Sequence, residues 1–474
     1  MSSVSALNSL LDSTSSTSGI DLSQILQAAT GAASTGIDVT SAVNSAVTAA
    51  QAPETAWKNQ ETTLQSQATA LTQLQTDATN IDNDVQALNS ITGPLSARTV
   101  TSSDSSVVSA SAASGSAVGN HTVVVTSLAS TASWASGTVA SATTALAAGS
   151  FTITDPTGTT TTISTGTGTS TLNDVAGTMN SDNLGVTASV ITDANGARLA
   201  IVSNTSGAAN NFTVTAGTGG LTFASAVTGA NASLTVDGIQ IASASNTVTG
   251  ALPGITLNLL NASPGTNVSL AIAPDTTQAA TAINKFVTDY NQAVSDLNTQ
   301  FTFSGTSEGV LATDSVVRSL QSTLQGALDY TYSPASGTTS MPNLSSMGIS
   351  VNNDGTLTAD SATLNNALQN NYSDVQNFFQ GASLNGFANS MDQQLTSFIS
   401  PADGAFTVDL SSISTEYNGL RTDISDFETN YITPLKAQLT SEYSQAEILL
   451  QQLPTEMQQI NTELGLNKNS SSGG

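Results

Sequence analysis

The side chains of this chain that could do acid–base, nucleophilic or metal chemistry are few, and they lack the partners such chemistry needs. His121 is the sole histidine, set in an alternating segment between Asn120 and Thr122, and the chain has no cysteine. With no second imidazole and no thiol it cannot build a zinc site, so it reads as structural. Asp289, Asp296, Glu308 and Asp314 could pair as acid and base, but no strained nucleophile or glycine-rich phosphate loop accompanies them. Asn352-Asn353-Asp354-Gly355 resembles a calcium loop on the surface, yet Ser350 and Ser361 stand where carboxylates are required. A hairpin turn is the better account. Asp82 and Asp84 fall on the polar side of a helical pattern and read as solubilising. Trp57 and Trp134 are the only tryptophans and neither is flanked by acids, which argues against the aromatic platform and carboxylate pair of a polysaccharide-active enzyme. No catalytic, metal or cofactor site is expected.

Composition then narrows the class. Only 9% of the 474 residues are charged and only 4% are aromatic, so solubility must come from Ser, Thr, Asn and Gln. At roughly 150 residues per domain the length suits about three domains. A net charge of −26, from 34 acids against 8 bases, excludes the clustered cations that nucleic acid or an anionic membrane surface demands. Without cysteine the folded parts hold by packing alone. Met1 to Ser18 has neither a basic start nor an apolar run, so export by a cleaved signal peptide is not expected. No stretch reaches the ~18 apolar residues of a membrane span.

The elements follow from periodicity. Gly19-Ile20-Asp21-Leu22 is echoed by Gly36-Ile37-Asp38-Val39, and each Asp could cap a helix. A helix is expected from Asp38 to about Ser90, interrupted near Pro53 and stopped by Gly93-Pro94. From Ala97 the period becomes two: Val123 and Val125; Phe151 and Ile153; Val186, Ala188 and Val190; and Leu199 and Ile201 after a turn at Asn195-Gly196. A hairpin runs from Leu234 to Ile241 about Asp237-Gly238. Beyond Pro274 helices return, with Ile283, Phe286, Val287, Tyr290, Val294 and Leu297 on one face and Val316, Val317, Leu320, Leu324 and Leu328 on the next. A hairpin at Ile349 to Leu357 and a helix bearing Leu364, Leu368, Val375, Phe378 and Phe379 come after.

Both ends carry matching stripes at steps of three, four and seven. Near the start these are Leu64, Leu71, Leu74, Ile81, Val85 and Leu88; near the end they are Leu435, Leu439, Leu450, Leu453, Met457, Ile460 and Leu464. The stripes either pair with each other within one subunit or dock on a partner. Pro434 and Pro454 lie inside the last helix, where kinks or breaks are expected.

Several blocks together carry a family likeness. Leu234 to Leu259, opening Leu-Thr-Val-Asp-Gly-Ile-Gln-Ile, and Phe286-Val-Thr-Asp-Tyr-Asn291 resemble the flagellar filament cap (hook-associated protein 2) family. Gly309 to Gln321 and Met347-Gly-Ile-Ser-Val-Asn-Asn-Asp-Gly-Thr-Leu357 are similar to its C-terminal region. Gly36-Ile-Asp-Val39 and Ala52-Pro53 are similar to its N-terminal helix, and Arg98 to Val107 to the stretch entering its head. Residues 171–215, especially Gly185 to Val190 and Gly196 to Ser203, look like the β module recurring in flagellar axial proteins. The likeness runs in order over residues 36 to 465. A longer leader, the two prolines and scarce lysine depart from the pattern.

The resemblance implies a mechanical role: export unfolded through the flagellar channel, a ring of about five copies at the filament tip, and retention of flagellin while it joins the lattice. The partners it implies are further copies of the chain, flagellin, the filament end or hook–filament junction proteins and a cytoplasmic export chaperone. The expected architecture is α+β and multidomain. It comprises a mobile segment (1–37), N-terminal leg helices (38–96), a β head domain (97–230), a second β head segment (231–274), a helical/β leg domain (275–405), a coiled-coil-like C-terminal helix (406–465) and a flexible tail (466–474). Flagellin itself fits less well, because its terminal patterns are not seen. A surface adhesin, binding host or matrix glycans through a Ser/Thr-rich head, is the alternative and could coexist with capping.

Overall fold

A computed structural model describes residues 38–463 except 167–169, 219, 303–308 and 335–336. The segment 1–37, the tail and Leu464 lie outside the described residues, as does Glu308. The chain divides into two compact units, one built from residues up to 72 and from 408 onward, the other from residues 73–407.

Helix α1 (Val39–Ala50) starts where Asp38 accepts the Ser41 N–H at 3.0 Å. Helix α2 (Ala52–Asn89) follows at once. Pro53 is its second residue, where a missing N–H leaves nothing unpaired, so the interruption falls at Gln51. Gly93 stands after α2 at a place where a Cβ would lie 2.2 Å from the Ala87 carbonyl oxygen.

The middle alternates as the period of two predicts. In chain order come β1 (Arg98–Ser102), β2 (Val108–Ala112), β3 (Gly119–Ser127), β4 (Thr131–Ser136), β5 (Ser150–Thr154) and β6 (Thr160–Ser164), then helix α3 (Leu172–Ser181). After it come β7 (Val186–Asp193), β8 (Gly196–Ser206), β9 (Thr213–Ala216), β10 (Phe223–Val227), β11 (Ala232–Val236), β12 (Ile239–Ser243), β13 (Thr247–Leu252), β14 (Ile255–Leu259) and β15 (Val268–Pro274). A five-stranded antiparallel sheet, β1-β15-β3-β11-β12, and a three-stranded sheet, β13-β14-β2, share a core of Val108, Val123, Val125, Leu234, Leu257 and Leu270. A second core, around Phe151, Leu172, Met179, Leu199 and Ile201, lies among the sheets β10-β4-β8-β7 and β6-β5-β9 and helix α3. The expected break at residue 230 is therefore not where the sheets divide. Strand β3 pairs with β11 and β15, so residues 98–127 and 232–274 close one β core and residues 131–227 are inserted between them. Alternation identifies a strand but not its partner.

Two local readings also shift. Helix α3 was not foreseen within the β region, although Thr171 and Asp174 form a capping box at its start. The β7–β8 turn centres on Ala194 and Asn195, because Asp193 pairs with Gly196 and its carboxylate accepts the Asn195 N–H at 2.7 Å. Gly196, at φ 122°, is required for another reason. A Cβ there would lie 2.2 Å from the Val139 carbonyl oxygen, where Val139 bridges to Ala197.

Helices then return: α4 (Thr276–Phe301), capped by Asp275, and α5 (Ser315–Ala327), capped by Asp314. The hairpin β16 (Ile349–Val351) and β17 (Leu357–Ala359) turns through Gly355 at φ 86°. The single helix expected from Leu364 to Phe379 is two, α6 (Ser361–Asn370) and α7 (Tyr372–Gln380), since Asn371 leaves helical geometry at φ −135°, ψ 35°. Helix α8 (Phe387–Ile399) completes an aromatic cluster: Phe387 stacks on Phe378 at 5.3 Å and meets Phe286 edge-on at 5.7 Å. Gln380 of α7 donates through Nε2 to the Leu88 carbonyl at the end of α2 and to the Ser90 carbonyl just beyond it, both at 3.1 Å; Ser90 also accepts the Gly93 N–H at 3.0 Å.

The chain closes with α9 (Ala405–Phe427), a wide π turn at Glu428–Ile432 and α10 (Thr433–Glu463). Helical structure is continuous through both prolines. Pro434 follows the π turn, in which Thr433 donates to the Glu428 carbonyl five residues back, and this widening accommodates a residue that cannot donate and crowds the preceding turn.

Replacing Gly196 with Ala is expected to destabilise the β4–β7–β8 sheet by about 1–3 kcal/mol. The measurement is hydrogen exchange, with protection of the β7 and β8 amides falling while that of α4 and α8 holds.

Candidate functional site

The strongest sequence feature, the paired stripes, has its geometry in the unit formed by the two chain ends. Helix α1 buries Val43 and Val47 against Ile432, with Val39, Ala50, Phe427, Leu439 and Tyr443 packed around them. The first part of α2 buries Leu64 with Leu420 and Ile424, and Trp57, Ile413 and Tyr417 flank that contact. Helix α1 packs with Ile432, Leu439 and Tyr443 while the later Leu64 packs with the earlier Leu420 and Ile424, so the ends run antiparallel. Trp57 meets Phe427 edge-on at 5.4 Å, and Phe427 stacks on Tyr431 at 5.1 Å. Such ring pairs add about 0.5–1.5 kcal/mol to simple burial.

Charge is spent sparingly at this seam. Lys58 bonds Glu54 one turn earlier and sits 3.7 Å from Glu428 in the π turn. Glu54 is only 2% exposed, and its carboxyl is held below the ordinary range first by Lys58. Gln60 donates to Glu416 at 2.9 Å, and Arg421 approaches Glu61 at 3.8 Å while lying over the Tyr417 ring. Exposed ion pairs of that kind contribute ~0–1 kcal/mol, so the apolar stripe dominates.

The stripe residues divide by burial. Leu64, Leu71, Leu74, Ile81, Val85 and Leu88 are all buried. Leu435, Leu439 and Leu450 are half-buried, and Ile460 is 52% exposed. Ile448 and Leu449, which the stripe omitted, are 55% and 63% exposed. The side chains of Leu453 and Met457 lie outside the described residues, as does Leu464. The seam is thus covered through Tyr443, and beyond it α10 presents apolar side chains to solvent.

The residues weighed for chemistry take structural places. His121 Nδ1 lies 2.7 Å from Asp237, whose other carboxylate oxygen accepts the Thr122 N–H at 2.8 Å. Asp237 occupies the β11–β12 turn at φ 51°, so this contact fastens the hairpin to β3, and His121 holds the Asp237 carboxyl below its usual range. Asp314 caps α5, and Asp354 closes the β16–β17 turn by accepting from Thr356. Asp82 and Asp84 are not on a solvated side. They are 6% and 7% exposed, and Asp77, which the sequence reading passed over, is 3% exposed. A helical wheel shows one partner face; here further helices cover the polar side as well. Among the described residues no group of three or more His, Cys, Asp or Glu is placed to hold a metal ion.

Comparison with known proteins agrees with this architecture. Residues 35–132 match the family model for the flagellar hook-associated protein 2 N-terminus, and residues 229–455 match that for its C-terminus. The chain is 26% identical over 220 residues to the lateral flagellar hook-associated protein 2 of Vibrio parahaemolyticus, covering 46% of this chain and 47% of that one. It is 30% identical over 176 residues to the A-type protein of Pseudomonas aeruginosa, covering 35% of each. The chain thus spans about half or less of the length of these curated relatives. In fold it is similar to the crystallised D1-D2-D3 domains of the flagellar cap protein FliD from Escherichia coli, with a TM-score of 0.59 and 29% identity, covering 74% of this chain and 99% of that one. The order of helical end, β core, inserted β core, helical domain and helical end, together with the two family matches, makes this chain a member of the flagellar hook-associated protein 2 family.

Proposed function

We propose that this protein is a flagellar filament cap: a structural, non-enzymatic subunit that sits at the distal filament tip, promotes flagellin polymerisation and keeps unpolymerised flagellin from escaping. The observation that carries the reading is the terminal-helix seam, which covers its apolar stripe through Tyr443 and leaves Ile448, Leu449 and Ile460 open on α10. An exposed apolar helix face on a chain otherwise solubilised by hydroxyls and amides is costly unless a partner covers it. In this reading the partner is the filament end or the neighbouring subunits of a homo-oligomeric ring. Leu450, Leu453, Met457, Ile460 and Leu464 are then the docking set, and Leu435 and Leu439 join Leu64, Leu71, Leu74, Ile81, Val85 and Leu88 in the internal pairing set. Delivery outside the cell without a cleaved signal peptide, with a cytoplasmic chaperone guarding the apolar ends, fits the same role. No helix among the described residues is long and apolar enough to cross a membrane. Neither the family match nor the β cores speak for the adhesin alternative, and it is not carried further.

Deleting the gene is expected to shorten or abolish filaments and release flagellin into the medium, as seen by electron microscopy and by immunoblotting the culture supernatant. Filaments of normal length with no flagellin released would remove the capping role. A triple exchange of Ile448, Leu449 and Ile460 for Ser is expected to leave circular dichroism and thermal unfolding of the purified protein unchanged while failing to restore filament growth. Full restoration would show that this face is not the docking surface.

A further inference from the structure

The buried carboxylates on the second half of α2 are not used by the seam or by the proposed docking. Asp77 and Asp84 stand seven residues apart on α2, and Asp289 and Asp296 stand seven apart on α4. Lys285 of α4 reaches Asp84, with Asp289 beside that carboxylate and Asp296 beside Asp77, so these stretches of the two helices run antiparallel. The first rung holds a cation: Lys285 donates to Asp84 at 2.7 Å and to Asp289 at 2.6 Å. The second rung has none. Asp77 takes one hydrogen bond, from Gln73 at 3.0 Å, and its Oδ2 is buried with no donor in reach. A third contact repeats the pattern toward α8. Gln86 Nε2 lies between Asp82 at 2.8 Å and Asp392 at 2.9 Å, and Asp82 Oδ1 is again buried without a donor.

A buried carboxyl group facing a second, half-buried one cannot be ionised cheaply while its partner is charged. Asp77 Oδ2 and Asp82 Oδ1 each lack a hydrogen bond that a single proton would supply. We propose that Asp77 and Asp82 each hold a proton toward the carboxyl group facing them, Asp296 and Asp392, making the join of α2 to α4 and α8 a proton-operated clasp that is tight in acid and loosened at neutral pH. The groups facing Asp77 are Asp296 and Asp289 on α4 and Gln73 on α2; those facing Asp82 are Asp392 on α8 and Gln86 on α2. No cation is among them. Burial is the first cause, and the partner carboxylate the next, in lifting both Asp77 and Asp82 to about 6. Burial also raises Asp84, against the pull of Lys285.

The sign follows from proton linkage. A carboxyl that holds its proton more tightly folded than unfolded stabilises the fold fully below the ordinary value of 3.8, and that contribution is lost as pH rises through about 6. The full-length chain is therefore expected to lose melting temperature between about pH 4 and 7. Asp77→Asn and Asp82→Asn keep the shape and donate to the partner carboxylate as a protonated acid would. Together they should raise the melting temperature at about pH 7.5 and leave it little changed at about pH 4.5, flattening the pH profile. A profile parallel to that of the unmodified chain, or a lower melting temperature at pH 7.5 with the slope retained, overturns the clasp. Should the double variant not fold, infrared spectroscopy of the unmodified protein decides. The stretch of protonated carboxyl groups should persist at about pH 5.5, where ordinary carboxyls are ionised, and vanish by about pH 7.5. Its absence at the lower pH also overturns the proposal.

Discussion

Everything in the terminal unit depends on the two ends of the chain meeting. Helix α1 has only 12 residues, and isolated helices that short are marginal in water. Its threonines and serines add little intrinsic stability; Ser45 and Thr48 bond back to carbonyls one turn earlier, which competes with the helix as much as it supports it. What makes α1 persist is the apolar seam with Phe427, Ile432, Leu439 and Tyr443, residues that arrive almost 400 positions later. The closure entropy of such a loop grows only as the logarithm of its length, so the long intervening chain costs little more than a short one.

The same scarcity of charge shapes the rest. With 8 basic residues against 34 acids, most carboxylates have no cation to meet. Many are placed at helix starts and turns instead, where backbone N–H groups serve as partners: Asp38, Asp275, Asp314 and Asp360 cap helices, and Asp155, Asp193 and Asp354 close turns. Asp77, Asp82 and Asp84 of α2 are the exception, because they sit mid-helix where every backbone N–H is already engaged.

Much of this was legible in the residues. Period two located β3, β5, β7, β8 and the β11–β12 hairpin, and the three-four spacing located α2, α4, α5 and α10, since each pattern reports a face that must be buried; the start of α1 was read from the capping Asp38. Partners were less legible. Nothing local to β3 says that β11 and β15 flank it, and nothing local to Asp77 says that Asp296 lies opposite. Helix α3 was hidden by its Ser/Thr-rich surroundings, though Thr171 and Asp174 held the signal. The likeness to hook-associated protein 2 carried the function further than any single residue did, because the family's chemistry is packing and has no catalytic signature to find.

The π turn at Glu428–Ile432 bears on how this chain tolerates change in length. It lies near the helix break at Gln51, since Ile432 packs on Val47 and Lys58 reaches Glu428. One strand of the seam is interrupted where the other is widened. A π turn holds one residue more than a regular turn, which rotates all that follows by roughly 100°. That rotation lets α9 face α2 and α10 face α1 with one continuous stripe. Deleting a single residue there would give a more regular helix and a misphased stripe beyond it, whereas the loops of the β cores can absorb insertions without disturbing either end. Length variation among relatives should therefore collect in the inserted β core and spare this turn.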